Sequence, residues 1–159
     1  MIWPCQDPEE NLFEFYGDPG ENQVRVKTPY PLVIAWDTSK TVHSFLCHEL
    51  VKSSLERIFA QALKHYGLAS ITALGLNIWG GCLNIRPMTG NPDRLTLHSW
   101  GIALDWHPTQ NRYGWNKKKA LFAQPIYNAW WDIWEAEGWT SLGRAIDNDW
   151  MHVQAASLL

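Results

Sequence analysis

Apolar residues recur at Phe45, Leu46, Leu50, Leu55, Ile58, Phe59 and Leu63, and the run that begins near Ser39 stops at Gly67. That spacing is close to the helical period of about 3.6 and places the apolar side chains on one face. It predicts an amphipathic helix, capped by Thr41 or Ser44 at its start and by Gly67 at its end. The first forty residues are rich in turn signals such as "GDPGEN", and their one short apolar run, Leu32 to Trp36, reads as a strand. Beyond the helix, "LGLNIWGGCLNIRPMTG" predicts strand, Gly-Gly turn, strand and loop. "RLTLHSWGIALDWH", Arg94 to His107, is strand-forming sequence with Gly101 in its middle. A second helix is predicted from about Lys117 to Glu137, and a terminal strand around Trp150 to Gln154. Helices segregated from a small sheet give an α+β class.

The 159 residues suit one domain that buries roughly 70% of the surface its unfolded chain exposes. Residues 1–38 form an N-terminal segment without a motif, and residues 39–159 carry every candidate for chemistry. Tryptophan is over-represented, with eleven residues. Most must serve the core, because indoles bury so much area, and a few are available to line a substrate groove. The net charge of −3 gives no basic field, which argues against nucleic acid as a partner. The basic run "NKKK" reads as a solvated loop or helix start. Three widely spaced cysteines without a CxxC pair read as buried thiols. There is no basic n-region followed by an apolar h-region, and no apolar run of about 18 residues. The expectation is a soluble product made in the cytoplasm, with no membrane partner.

His98 and Asp105 are seven positions apart, so on one unbroken strand their side chains would face opposite ways. Gly101 lies between them, where a bend would bring them together. Asp105 and His107 share a strand parity, so two ligand sets compete locally: His98 with Asp105, or Asp105 with His107. Near the C-terminus, "AIDNDWMHVQ" places Asp149 three residues before His152, with Gln154 on the same strand face as His152. A hydrolytic metal site needs imidazoles and a carboxylate as ligands, an open position for water, and a carboxylate left over as base. His43 and His48, five apart, fall off a common helical face, and with His65 they read as ordinary histidines.

"TLHSWGIALDWH" resembles the S-x-H-x-x-G-x-A-x-D signature of the M15 family of zinc peptidases, the D-alanyl-D-alanine carboxypeptidase and dipeptidase group. Thr96, His98, Gly101, Ala103 and Asp105 occupy the signature positions, with Thr96 in place of Ser. "DNDWMHVQ" resembles the family's [ED]-x-x-H element, and "GGCLNIRPMTG" is similar to the arginine-bearing segment that precedes the signature in the phage-endolysin branch. The resemblance spans Trp79 to Gln154. It implies His98, Asp105 and His152 as Zn2+ ligands, Asp149 as general base and Arg86 as the group that stabilises the oxyanion. Arg94 is the second candidate for that role or a clamp for a substrate carboxylate, and Thr96 and Trp150 are further substrate contacts. His107 is implied to stand behind the ligands or at the surface.

The fold implied is a small α+β domain with an antiparallel sheet, flanked by helices, at the floor of the cleft. The activity implied is zinc-dependent hydrolysis of the peptidoglycan stem peptide, acting on the wall after release, as in phage or prophage lysis. Asp rather than Glu at position 149 points to an L-alanyl-D-glutamate endopeptidase. The alternatives are a D,D-carboxypeptidase, a virion-associated component, or a non-catalytic wall-binding protein of the same fold.

Overall fold

A computed structural model describes residues 2–159. After a short helix α1 (Glu10–Tyr16), two long strands, β1 (Gln23–Ile34) and β2 (Asp37–His48), form an antiparallel hairpin. β3 (Ile78–Trp79) adds to β1 in parallel, giving the sheet order β2-β1-β3. β4 (Pro87–Met88) and β5 (Asn91–Leu95) make a small hairpin, and β6 (Ala103–Asp105), β8 (His152–Gln154) and β7 (Thr140–Ser141) form a second antiparallel sheet in the order β6-β8-β7. The helices are α2 (Lys52–Leu74), α3 (Asn128–Ala136) and α4 (Leu142–Ile146). The class is α+β in a single domain, as the periodicity predicts.

The N-terminal segment is more ordered than its turn signals predict: it holds α1, and the strand expected at Leu32–Trp36 is β1, which begins at Gln23 and ends at Ile34. Three helix boundaries also differ from the sequence reading. Residues 39–48, expected to open the first helix, belong to strand β2, because Phe45 and Cys47 point inward while Leu46 between them is exposed. Alternation of that kind is the two-residue period of a strand. Leu46 and Leu50, which completed the apparent helical period, are 39% and 41% exposed. The helix proper starts at Lys52, burying Leu55, Ile58, Phe59 and Ala62. Gly67, expected to end it, kinks it instead (φ 75°, ψ 159°), and Gly75 in the left-handed region supplies the cap, its N–H donating to the Ile71 and Thr72 carbonyls. Finally, α3 covers only the last part of the predicted Lys117–Glu137 helix. Pro125 lacks the N–H that a helix interior requires and holds Gln124 extended (φ −70°, ψ 149°), so two 3-10 turns precede α3.

Phe59 of α2 centres the core. Its ring lies 6.1 Å from Tyr30 of β1 and from Phe45 of β2, 6.0 Å from Trp106 and 6.3 Å from Trp134 of α3. Trp3, Trp100, Trp106, Trp130, Trp131, Trp134, Trp139 and Trp150 are buried with it. The N-terminal segment is part of this core: Leu12 and Tyr16 are buried, and the Tyr16 hydroxyl donates to the Ala155 carbonyl at 2.6 Å. Among the described residues, no helix is long and apolar enough to cross a membrane.

Candidate metal centre

β6 and β8 run antiparallel in a register that sets Asp105 directly opposite His152. Cross-strand partners present their side chains to the same face, so the pairing alone brings a carboxylate and an imidazole together. His98 arrives differently. Residues Leu97–Trp100 form a 3-10 turn rather than strand, and Gly101 (φ 68°, ψ 34°) closes it before β6 begins. A Cβ on Gly101 would stand 2.2 Å from Gln23 Oε1, so both the conformation and the space there require glycine. The bend expected at Gly101 is present, and it carries the chain from His98 back to Asp105.

The result is a compact donor set. His98 Nε2 lies 3.2 Å from Asp105 Oδ2, and His152 Nδ1 lies 3.2 Å from Asp105 Oδ1. One ligand atom from each of the three residues falls within 4.8 Å of the others, and the group can hold a metal ion. The two imidazoles face different oxygens of the one carboxylate, so Asp105 sits between them as the shared member of the group.

The outer hydrogen bonds decide what the inner nitrogens present. His98 Nδ1 is 2.8 Å from the Cys82 carbonyl, which can only accept, so that nitrogen carries the proton. His152 Nε2 faces Gln154 Oε1 at 3.0 Å. The amide of Gln154 is oriented by its NH2, which donates to the Ala156 carbonyl at 3.2 Å and to Gln6 Oε1 at 2.8 Å. His152 Nε2 is therefore the protonated nitrogen. In the neutral imidazoles, His98 Nε2 and His152 Nδ1 are then lone pairs aimed at carboxylate oxygens. Only a cation or added protons can occupy the space between them, and the donor chemistry fits a divalent metal.

Electrostatics follow the same geometry. Burial works against ionisation of Asp105, yet the two imidazoles more than offset it and hold the carboxyl well below its usual range. Burial pulls the His152 value down, and Asp105 and Asp149 together raise it above normal. Asp149, whose Oδ2 is 4.0 Å from His152 Nδ1, is pushed up chiefly by burial. It sits in the left-handed region (φ 56°), and its carbonyl accepts from His152 N–H at 3.0 Å, which fixes the turn that feeds β8.

A cleft of about 310 Å3 opens over this group, lined by Arg86, Thr96, His98, Asp105, Asp149 and His152 together with Met88, Tyr113, Leu142, Ile146 and Met151. Among the described residues, the Arg86 guanidinium bonds only the adjacent Pro87 carbonyl, at 3.3 Å. Two expected contacts lie elsewhere. Arg94 is engaged by the Asp7 carboxylate and, at 2.8 Å, by the Gln6 carbonyl, and it does not line the cleft. It anchors the N-terminal segment, as an ion pair with a planar fork does well. Trp150 packs face-on against Gly143, donates to Asp147 Oδ1 at 3.0 Å, and is also outside the lining. His107 stands apart from the donor set with its ring against Gly75, so of the two local alternatives it is His98 that joins Asp105.

Gln154 and Cys82 orient the ligands. Strand parity signals the first, whereas the second acts through its backbone carbonyl and leaves no side-chain signal. Tyr113 and the α4 residues Leu142 and Ile146 reach the cleft through tertiary packing and carry no motif. Compared with known protein families, with curated proteins and with solved structures, the chain matches none of them.

Proposed function

We propose that this protein is a zinc-dependent peptidase that hydrolyses the peptidoglycan stem peptide, most specifically the L-alanyl-D-glutamate bond. The observation that carries the reading is the convergence of two imidazole lone pairs and one carboxylate beneath an open cleft, with Asp149 beside them but outside the ligand set. His98, Asp105 and His152 would hold the metal. A bound Zn2+ supplies Lewis acidity, polarising a carbonyl and acidifying water.

The chain's own residues do the rest. Asp149, half-buried with its Oδ2 4.0 Å from His152 Nδ1, would take a proton from the attacking water and return it to the leaving amine. Arg86 offers N–H donors on the cleft wall, where the carbonyl oxygen gains charge. Thr96, buried at the cleft wall, and the apolar side chains of α4 orient the peptide and exclude water.

An endopeptidase is favoured over a D,D-carboxypeptidase by one feature: a second cavity continues past the donor set and shares Arg86, His98 and Asp105 with the first. A substrate can extend on both sides of the reacting bond. Digestion of purified sacculi by the zinc-loaded protein, followed by mass spectrometry of the products, tests this. New fragments beginning with D-Glu are expected. Release of free D-Ala would favour the carboxypeptidase, and an absence of any new terminus would overturn the peptidase reading.

A further inference from the structure

The second cavity has a different character from the first. Beyond the shared Arg86, His98 and Asp105, its wall is Trp36, Trp79 and residues 80–84, none with a side chain that is charged at neutral pH. Trp36 sits on the bend between β1 and β2 and is 69% exposed. One aromatic chain ties it back to the core: its ring is 5.8 Å from Trp79, Trp79 is 5.3 Å from Phe45, and Phe45 is 6.1 Å from Phe59. An indole offers a large contact face with only two side-chain torsions to order. The floor is bare backbone. A Cβ on Gly80 would be crowded, meeting the Asp105 carbonyl oxygen at 3.1 Å, and Gly81 has φ +113° with nothing within 4 Å of a Cβ position. Among the described residues, the backbone N–H groups of Gly81, Cys82 and Leu83 find no protein acceptor.

The opposite arm borders a basic loop. Tyr113 lines the first cleft, and its loop carries Arg112, Lys117, Lys118 and Lys119, none of them in the cleft lining and none ion-paired among the described residues; Arg112 and Lys119 stand over the Trp115 ring at 5.7 and 5.6 Å. The loop is held against the Asp149 turn by Gly114 N–H to Asn148 Oδ1 (2.9 Å) and Lys117 N–H to Asp147 Oδ1 (2.6 Å). The Trp36 arm thus suits a neutral ligand with an apolar face, and the other arm runs out toward a basic loop. A stem peptide has this polarity: its far part carries carboxylates, and its near end is amide-linked to an uncharged sugar.

We propose that the Trp36–Trp79 groove is a glycan subsite, in which an N-acetylated hexosamine ring stacks on Trp36 and its acetamido oxygen or hydroxyls accept from the Gly81–Leu83 backbone. The inference rests on the stem-peptide reading, and it sets the direction of the substrate, sugar toward Trp36 and carboxylates toward Tyr113. The probe is the β-1,4-linked N-acetylglucosamine tetrasaccharide, which carries no peptide, titrated into the full-length, zinc-loaded protein by NMR or calorimetry. Binding should be present, should weaken about tenfold or more in Trp36→Ala, and should largely survive in Trp36→Tyr, which keeps an aromatic face. In turnover, Trp36→Ala should raise KM for a sugar-bearing stem peptide and leave a sugar-free one unchanged. Equal tetrasaccharide binding by Trp36→Ala and the parent overturns the subsite. Cleavage of sacculi without any tetrasaccharide binding overturns it too and leaves the peptidase standing. Trp36-dependent sugar binding in a protein that cuts no stem peptide supports the subsite and overturns the peptidase.

Discussion

At the scale of single residues, the decisive feature is which nitrogen of each histidine is committed outward. The Cys82 carbonyl accepts a hydrogen bond from His98 Nδ1–H and Gln154 Oε1 accepts one from His152 Nε2–H, so both rings present lone pairs to Asp105. Substituting His98 or His152 by alanine should lower zinc per chain well below one, whereas His107→Ala should leave it nearly intact, as read by metal analysis after dialysis. Gln154→Leu removes an orienting acceptor without touching a ligand and should weaken zinc about 10- to 100-fold in a competition titration with a chelator. Equal losses for His107 and His98 would mean that the donor set is misassigned. Asp149→Asn separates chemistry from binding. It keeps shape and polarity but cannot accept a proton, so bound zinc should persist while kcat falls about 10²-fold or more. Near-normal turnover would make Asp149 a structural turn residue.

At the scale of elements, the site is assembled by a strand pair and a turn. The β6–β8 register sets Asp105 against His152, and the 3-10 turn ending at Gly101 delivers His98. Gln23, whose side chain crowds Gly101, is itself tied to the Trp100 carbonyl at 2.9 Å and the Glu21 carbonyl at 3.0 Å, so it cannot swing away freely. Gly101→Ala therefore meets both a left-handed backbone and a fixed neighbour. It should destabilise the fold by about 1–3 kcal/mol in urea unfolding and weaken zinc binding with it. Unchanged stability would show that the turn can relax without the glycine. The bend at Gly101 was legible from sequence because glycine stood between two candidate ligands of opposite parity. Its form as a 3-10 turn was not, since Leu97 and Trp100 are as apolar as strand residues and their burial is set by the core around them.

Across the whole molecule, the ends of the chain are drawn into the structure that supports the cleft. Arg94 binds Asp7, and Gln6 accepts from Gln154. At the other side, Glu137 after α3 accepts from Arg57 Nη2 at 2.8 Å and from Ser54 Oγ at 2.9 Å, both on α2. The Arg57 hydrogen bonds, opposed in part by burial, lower the Glu137 carboxyl from its ordinary value of 4.5. A carboxyl that titrates lower in the folded state than in the unfolded one favours folding while it is ionised. Its contribution is therefore complete above the unfolded value and is lost as pH falls through the folded one. Thermal unfolding of the parent and of Glu137→Gln should show the parent more stable near neutrality, with the gap closing as pH drops below 4.5. A gap that is constant with pH would assign the effect to packing instead.

Local sequence determined what local forces control. The α+β class followed from segregated periods, the bend from a glycine and the terminal strand from the pattern around His152. Spacing alone left His98 and His107 as rivals beside Asp105, and the set with His152 came from the resemblance to a family signature. Tertiary structure alone decided the rest. Residues 37–48 became strand because β1 offered them a ladder and Phe45 and Cys47 a core to enter, although a helical period could be drawn through the same apolar positions. Arg94 was taken from the cleft by Asp7, eighty-seven positions away in the chain, a pairing that no local spacing encodes. Tyr113, α4 and the Trp36–Trp79 groove likewise meet the donor set only once distant segments have packed. Residue type and period fix backbone preference over a few residues, whereas partners across the fold are fixed by burial and hydrogen bonding, which exist only when the chain has closed on itself.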